Sequence, residues 1–129
     1  MKKWVVLAVL AMSLAGCGGN PGEIHIPAQH WKTMDVRIET HPNPPIAGMS
    51  EIVVIVTGPR GRPVSDLKVQ MRASDAMPWV QGIQDGLIGV YRRAVDLGAG
   101  AEATLQVQLV EASTDQTTLL FPMKLAVGE

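Results

Sequence analysis

The chain has 129 residues, of which 47% are hydrophobic and 4% aromatic, and its formal net charge at pH 7 is −1. A single domain is expected at this length, because one domain typically takes roughly 100 to 200 residues. The weakly acidic balance argues against nucleic acid as a partner, since that function needs a basic surface. The single cysteine cannot form an internal disulfide.

The first 17 residues have the pattern of an export signal. Lys2 and Lys3 precede an uncharged apolar run from Trp4 to Ala15, and the run closes in Leu14-Ala15-Gly16-Cys17. A membrane-spanning helix needs about 20 apolar residues, so this run is too short to be one. The segment resembles the bacterial lipobox. The resemblance implies that residues 1–16 are a signal peptide and that Cys17 becomes the acylated first residue of the mature chain, carrying palmitate among its acyl groups.

An ordinary secretory signal, cleaved near Ala15 or Gly16, is the alternative. It would leave Cys17 as an unpaired thiol in an exported protein, which is unfavourable, so acylation is the preferred interpretation. The mature chain would keep 9 basic and 12 acidic residues, because only Lys2 and Lys3 leave with residues 1–16. With this weak negative charge, membrane attachment depends on the acyl chains. Gly18 is not the aspartate associated with inner-membrane retention, so resemblance to Gram-negative lipoproteins favours the periplasmic face of the outer membrane.

Residues 17–33 are predicted to be a tether between the lipid and a folded domain at 34–129. The stretch is rich in glycine and proline and lacks clear periodicity. If fully extended, it would reach roughly 50 Å at about 3.3 Å per residue. The stretch also holds the apolar residues Ile24, Ile26 and Trp31. They are compatible with a short strand or with a segment that packs on the domain.

From Met34 onward the dominant hydrophobic period is two, which predicts strands with one buried face. Alternating segments surround Val36 and Ile38, Leu67 to Met71, and Leu105 to Leu109. The β-branched run 52–56 predicts a central strand covered on both sides. Further strands are expected at 90–95 and at 117–127, where Pro122 indicates an edge or a bulge.

Glycine- and proline-rich turns separate these segments, and no mature segment has a sustained helical period. Six or seven short strands with such turns predict an all-β fold, a small antiparallel β-sandwich of immunoglobulin-like arrangement. Tyr91, the only tyrosine, follows a Leu-x-Gly-x-Tyr spacing typical of a structural tyrosine corner. This role is preferred over a catalytic one, because no general base lies in the same motif.

Turn and core motifs in the middle of the chain resemble a known family. They are Asn43-Pro44-Pro45-x-x-Gly48, Gly61-x-Pro63-Val64, Met77-Pro78 and Gly89-x-Tyr91. Over roughly residues 35–110 the chain is similar to YtkA-like domains and their FixH-like relatives. The resemblance implies an extracytoplasmic immunoglobulin-like sandwich, and it implies a link to copper handling or respiratory oxidase assembly. Many relatives carry further methionine or histidine after Met-Pro, whereas here Trp79 follows.

Three histidines lie in or beside the predicted tether, at His25, His30 and His41. Imidazole is a suitable copper ligand, so these three residues form the candidate metal site, although their spacing matches no recognised closed site. No other cofactor is expected.

The connection from about Ser74 to Gly86 is longer than a typical sandwich turn and holds Met77, Pro78, Trp79 and Ile83. Long loops on rigid scaffolds often carry function, and tryptophan often anchors partners. An equally supported alternative is that these side chains are buried and close one end of the hydrophobic core.

No enzymatic signature is present in the sequence. Gly98-x-Gly100-x-x-Ala103 matches the spacing of a dinucleotide fingerprint, but a strand pattern follows it instead of the required helix. Two hypotheses remain. The first is a noncatalytic, lipid-anchored module of the bacterial cell envelope that contacts the membrane through its acyl chains and binds an envelope protein. The alternative is a periplasmic copper-binding or copper-handling accessory protein.

Overall fold

The computed structural model describes residues 22–112 and 115–126. In this part of the chain nine strands and one 3-10 turn follow one another. The strands are β1 (Gln29–Trp31), β2 (Met34–His41), β3 (Met49–Thr57), β4 (Lys68–Arg72), β5 (Val80–Gln81), β6 (Ile83–Gln84), β7 (Val90–Asp96), β8 (Glu102–Val110) and β9 (Gln116–Lys124), and the 3-10 turn at Pro59–Gly61 lies between β3 and β4.

The strands form two antiparallel sheets. The first sheet has the order β1-β2-β3-β7-β6, and the second has the order β5-β4-β8-β9. With β2 as strand A, these orders correspond to the ABED and C′CFG sheets of immunoglobulin-type sandwiches. The all-β sandwich predicted from period two is therefore confirmed.

Alternating side chains from both sheets fill the core, as the period of two requires. In β2 every second residue is buried, and in β8 Leu105, Val107 and Leu109 are fully buried. The run 52–56 lies in β3, the central strand of the first sheet, between β2 and β7. Val53 faces away from the core and is still only 2% exposed. Its cross-strand neighbours on that face are Glu39 and Arg92.

Pro122 lies in β9, which forms an edge of the second sheet. Proline has no N–H to give to a ladder, so it is confined to positions where one hydrogen bond is not needed. The edge prediction for this strand is confirmed.

The domain begins earlier than the predicted boundary at Met34. Strand β1 pairs with β2 through Gln29↔Val36 and Trp31↔Met34, and Ile24 and Ile26 pack against the core. A strand of three residues is too short to show a period, which is why the sequence pattern left this possibility open.

Lys32 fixes the turn between β1 and β2 to the opposite sheet. Its Nζ lies 2.7 Å from a carboxylate oxygen of Glu111 and 2.9 Å from one of Asp115, both beside the β8–β9 turn. The amide of Gln29 also donates to the carbonyl of Leu120 in β9. The N-terminal segment thus borders the β9 side of the sandwich.

The chain crosses from the second sheet to the first at Gly82, between β5 and β6. The N–H of Gly82 donates to the carbonyl of Val69 at 2.8 Å. A Cβ at this position would lie 2.9 Å from Cε of Met71 and 3.1 Å from Cβ of Tyr91. A larger residue here would require Met71 and Tyr91 to shift. The long connection predicted at 74–86 thus contains two short strands joined by this crossing.

Candidate functional site

The predicted signal peptide and Cys17 lie outside the described residues. In the described ranges no helix is long and apolar enough to cross a membrane.

The chain is attached to the domain shortly after Cys17. The side-chain oxygen of Asn43 accepts a hydrogen bond from the N–H of Ile24 at 3.0 Å, and the Asn43 amide donates to the carbonyl of Ile24 at 3.2 Å. This reciprocal pair imitates one step of a β-ladder. It fixes the backbone at Ile24, seven positions beyond Cys17.

Trp79, one of the four residues in the predicted partner-binding loop, is half-buried and stands apart from the core cluster. The guanidinium of Arg72 lies over its ring, with 4.2 Å between the carbon of the guanidinium and the ring centroid. The Nε of Arg72 donates to the side chain of Gln106 at 2.8 Å. A cation over an aromatic face is stabilising, and here it fixes the ring against the second sheet.

The other three loop residues lie on both sides of the Gly82 crossing. Met77 and Pro78 line a groove of about 280 Å³, and Met49 and Val95 line it as well. Ile83 lies in β6 and is 62% exposed. The loop therefore brings Met77 and Pro78 to a groove between the sheets and leaves Ile83 on the outer surface of the first sheet.

Two exposed apolar residues were missed by the sequence interpretation. Leu87 is 79% exposed and Ile88 is 60% exposed, in the turn between β6 and β7. The turn is held in place by a hydrogen bond from the N–H of Asp85 to the carbonyl of Val90 at 2.9 Å. An apolar pair between two glycines, Gly86 and Gly89, is the sequence feature that indicates such a displayed turn.

Tyr91 is 1% exposed and joins the two sheets. Its hydroxyl donates to the carbonyl of Val64 at 2.9 Å and accepts from the N–H of Leu67 at 3.3 Å. A tyrosine corner lies near the start of strand F and bonds a few residues upstream. Tyr91 instead lies on β7, strand E, and its partners belong to the β3–β4 connection, so the geometry differs from that of a corner.

Arg92 is the centre of a surface ion-pair network. It lies 2.9 Å from Asp85 and 3.1 Å from Glu51. The hydrogen bond to Asp85 is the main cause that raises the pKa of Arg92; burial opposes it, and the hydrogen bond to Glu51 adds to the rise. The carboxylates of Asp85 and Glu51 thus neutralise its positive charge within the protein.

The structure does not bring the three predicted histidine ligands together. His25 and His41 line one groove of about 410 Å³. His30 contacts the carboxylate of Asp35, at the opposite end of β2 from His41. Asp35 and His41 are six positions apart on the strand, which corresponds to about 20 Å. In the described ranges no three histidine, cysteine or acidic side chains are placed to share a metal ion.

Copper titration of the variant with His25, His30 and His41 all replaced by alanine tests the histidine set. We expect the same copper affinity as in the unaltered protein, because only two of the imidazoles share a groove. The matched control replaces His30 alone. A loss of about tenfold or more in the triple variant, equivalent to about 1.4 kcal/mol, would restore these residues as ligands.

Comparisons with protein-family models, curated proteins and solved structures found no match.

Proposed function

We propose that the protein is a noncatalytic, lipid-anchored interaction module on the extracytoplasmic side of a bacterial membrane, attached through acylated Cys17 and presenting its β-sandwich to an envelope protein. The observation that carries the proposal is the lipobox pattern Leu14-Ala15-Gly16-Cys17 a short distance before the fixed backbone at Ile24. In a Gram-negative host the proposed location is the periplasmic face of the outer membrane.

The attachment at Ile24 shortens the predicted tether. Seven residues beyond Cys17 extend at most about 25 Å, about half of the reach expected for a tether ending at Thr33. The domain would therefore stay close to the lipid surface, with Asn43 and the β2–β3 connection on the membrane side. A position this close restricts the set of partners to proteins at the same surface.

The strand directions place different features at the two ends of the sandwich. β3 runs from Met49, near the attached end, to Thr57 at the other end, and Ile55 pairs there with Val90. The β6–β7 turn with exposed Leu87 and Ile88 thus lies at the end remote from the tether. An anchored module would present this apolar pair away from its membrane.

Replacing Cys17 by serine tests the anchor. The thiol is the acylation site of a lipobox, so we expect the variant to lose all incorporation of radiolabelled palmitate and to leave the membrane fraction. The measurement is palmitate labelling together with fractionation of cells that express the full chain.

Asn20→Ser, three residues downstream, is the matched control and should remain labelled and membrane-bound. Continued palmitate labelling of the Cys17→Ser variant would contradict acylation at this residue. Retention of the unlabelled variant in membranes would show that attachment depends on something other than the acyl chains.

Copper handling, implied by the resemblance to YtkA-like domains, is the second proposed function. The observation that favours it is the groove beside Val95, which is lined by Met49, Met71 and Met77. Thioethers are soft ligands and suit Cu(I), although methionine is also a common core filler. Neighbouring genes for oxidase assembly or copper export would favour this function, and genes for an envelope machine would favour the interaction module.

A further inference from the structure

Part of β7, in the first sheet, has no neighbouring strand on its β6 side. β7 pairs with β3 from Ile55↔Val90 to Met49↔Asp96, whereas β6 pairs only with Tyr91 and Arg92. Within residues 22–112 and 115–126 no strand pairs with Ala94, Val95 and Asp96 on the β6 side. The crossing at Gly82 leaves this edge open, because the chain before β6 belongs to the second sheet.

The backbone of this stretch is oriented for pairing. Backbone groups of a strand point alternately to its two neighbours. The carbonyl of Gly89 accepts from Val56 in β3, and the carbonyl of Val90 accepts from Asp85 on the β6 side. By this alternation the N–H and C=O groups of Ala94 and Asp96 point away from β3, toward the open side. A row of such groups matches the backbone of an extended peptide.

A groove lies where a side chain of an added strand would enter. Val95 faces the core and is 3% exposed, while its neighbours Ala94 and Asp96 are exposed on the outer face. Opposed residues of an antiparallel pair point to the same face. A residue opposite Val95 would therefore point between the sheets, into the groove of about 280 Å³ lined by Met49, Met77 and Pro78. This volume suits one aliphatic side chain.

Opposite charges mark the two ends of the open stretch. Arg93 is exposed although it shares the core-facing parity of Tyr91 and Val95. Neither Arg93 nor Asp96 forms an ion pair with another residue of the described ranges. A charged residue at a sheet edge disfavours pairing with a strand that does not complement its charge. Arg93 therefore disfavours a basic or apolar residue beside it and favours a carboxylate. Asp96 favours a basic residue.

Both ends of the described part of the chain, at residues 22 and 126, join the domain elsewhere. Ile24 and Ile26 lie next to β2 and β9, and Ala126 bridges Ile46, three residues before β3. The open edge of β7 is on the far side of the first sheet from β1. A segment of another protein is thus the occupant that the geometry favours.

We propose that Ala94–Asp96 accepts an extended segment of a partner protein as an added antiparallel strand in line with β6. From its N-terminal end the segment carries a basic residue opposite Asp96, an aliphatic residue opposite Val95, a small residue opposite Ala94 and an acidic residue beside Arg93. This inference rests on the proposed interaction function, and it gives that function a binding mode. Met77 and Pro78, taken from the predicted loop, form the floor of the site.

The test uses the full chain, isotopically labelled and purified in dodecylmaltoside micelles, and two capped synthetic peptides. The probe is Thr-Thr-Lys-Leu-Thr-Glu, and the matched control with the charges exchanged is Thr-Thr-Glu-Leu-Thr-Lys. We expect the probe to bind at least about fivefold more tightly, because two opposite-charge neighbours become two like-charge ones in the control. Binding should slow hydrogen exchange of the Ala94 amide, and replacing the probe's leucine by aspartate should abolish binding.

Ala94→Pro adds a test on the protein side. It removes the edge N–H, and proline is tolerated where an edge N–H faces solvent, so we expect loss of peptide binding with the fold retained. Ala94→Ser is the control and should bind normally. The peptide comparison needs no protein variant, so misfolding of Ala94→Pro would leave the test intact.

Equal affinity for the two peptides, no binding of either, or binding without protection of the Ala94 amide would overturn the proposal. Protection of Ala94 that rises with protein concentration in the absence of peptide would also overturn it, in favour of a second copy of this chain. The Cys17→Ser labelling result is independent of all these outcomes, so failure of the anchor and failure of the binding mode are distinguishable.

Discussion

Replacing Gly89 by alanine is expected to lower the free energy of unfolding by about 2 to 5 kcal/mol. The backbone at Gly89 has φ of 75°, a left-handed conformation that costs about 1 to 2 kcal/mol for other residues. An added Cβ would lie 2.5 Å from the carbonyl oxygen of Val56 and 3.0 Å from the nitrogen of Val64. Overpacking of this kind costs typically about 1 to 3 kcal/mol.

Three segments of the chain meet at Gly89. Val56 donates to the carbonyl of Gly89 at 2.9 Å, and Val64 donates to the carbonyl of Val56 at 3.1 Å. Because both atoms nearest to the added Cβ are backbone atoms in this ladder, they cannot move aside as a side chain would. A thermal melt should show a loss of about 10 °C or more for a domain of this size.

Gly86→Ala in the same turn is the matched control. Its φ of 68° is equally left-handed, but nothing lies within 4 Å of an added Cβ. Only the conformational cost applies, so the expected loss is about 1 to 2 kcal/mol. Equal losses of stability in the two variants would show that the close approach at Gly89 adds nothing to the destabilisation.

The parts of the fold with a long regular period could be predicted from the sequence. β2, β4 and β8 alternate over five or more residues, and the run 52–56 identified the centre of the first sheet. β1, β5 and β6 have only two or three residues each and carry no measurable period. Their positions depend on tertiary contacts, such as the pairing of Gln29 with Val36 and the crossing at Gly82.

The proposed binding site was harder to predict from the sequence, because it depends on the absence of a neighbouring strand along part of β7. Met77 and Pro78 were singled out for their place in a long loop. Ala94 and Asp96 have no unusual local pattern, and only the crossing at Gly82 shows that their backbone faces an open side. The separation of His30 from His41 was also not predicted, since closeness along the chain says little about distance when a strand of eight residues intervenes.

Replacing Tyr91 by phenylalanine is expected to lower the free energy of unfolding by about 1 to 3 kcal/mol. The substitution keeps the buried ring but leaves the carbonyl of Val64 and the N–H of Leu67 without their partner, and unpaired buried groups cost this amount. Urea denaturation with an unchanged m-value is the measurement. Peptide binding should be unaffected, because Tyr91 faces the core. Loss of a binding activity with unchanged stability would contradict the structural role.

The same hydroxyl gives the stability a pH dependence with a definite sign. Burial raises the pKa of Tyr91 above its ordinary value near 10, the N–H of Leu67 opposes this shift, and the charge of Asp66 adds to it. Below about pH 9 the phenol is neutral in the folded and unfolded chain. Above this pH the unfolded chain loses the proton first, so stability falls as pH rises, by up to about 1.4 kcal/mol per pH unit.

The Tyr91→Phe variant isolates this effect. Hydrogen bonds to Glu111 and Asp115 raise the pKa of Lys32, whose stabilising contribution is also lost as pH rises through that value. This contribution is common to both proteins and cancels in the comparison. The difference in free energy of unfolding should be constant up to about pH 9 and should shrink above pH 10. A difference that stays constant to pH 11 would show that the Tyr91 phenol keeps its ordinary pKa in the folded protein.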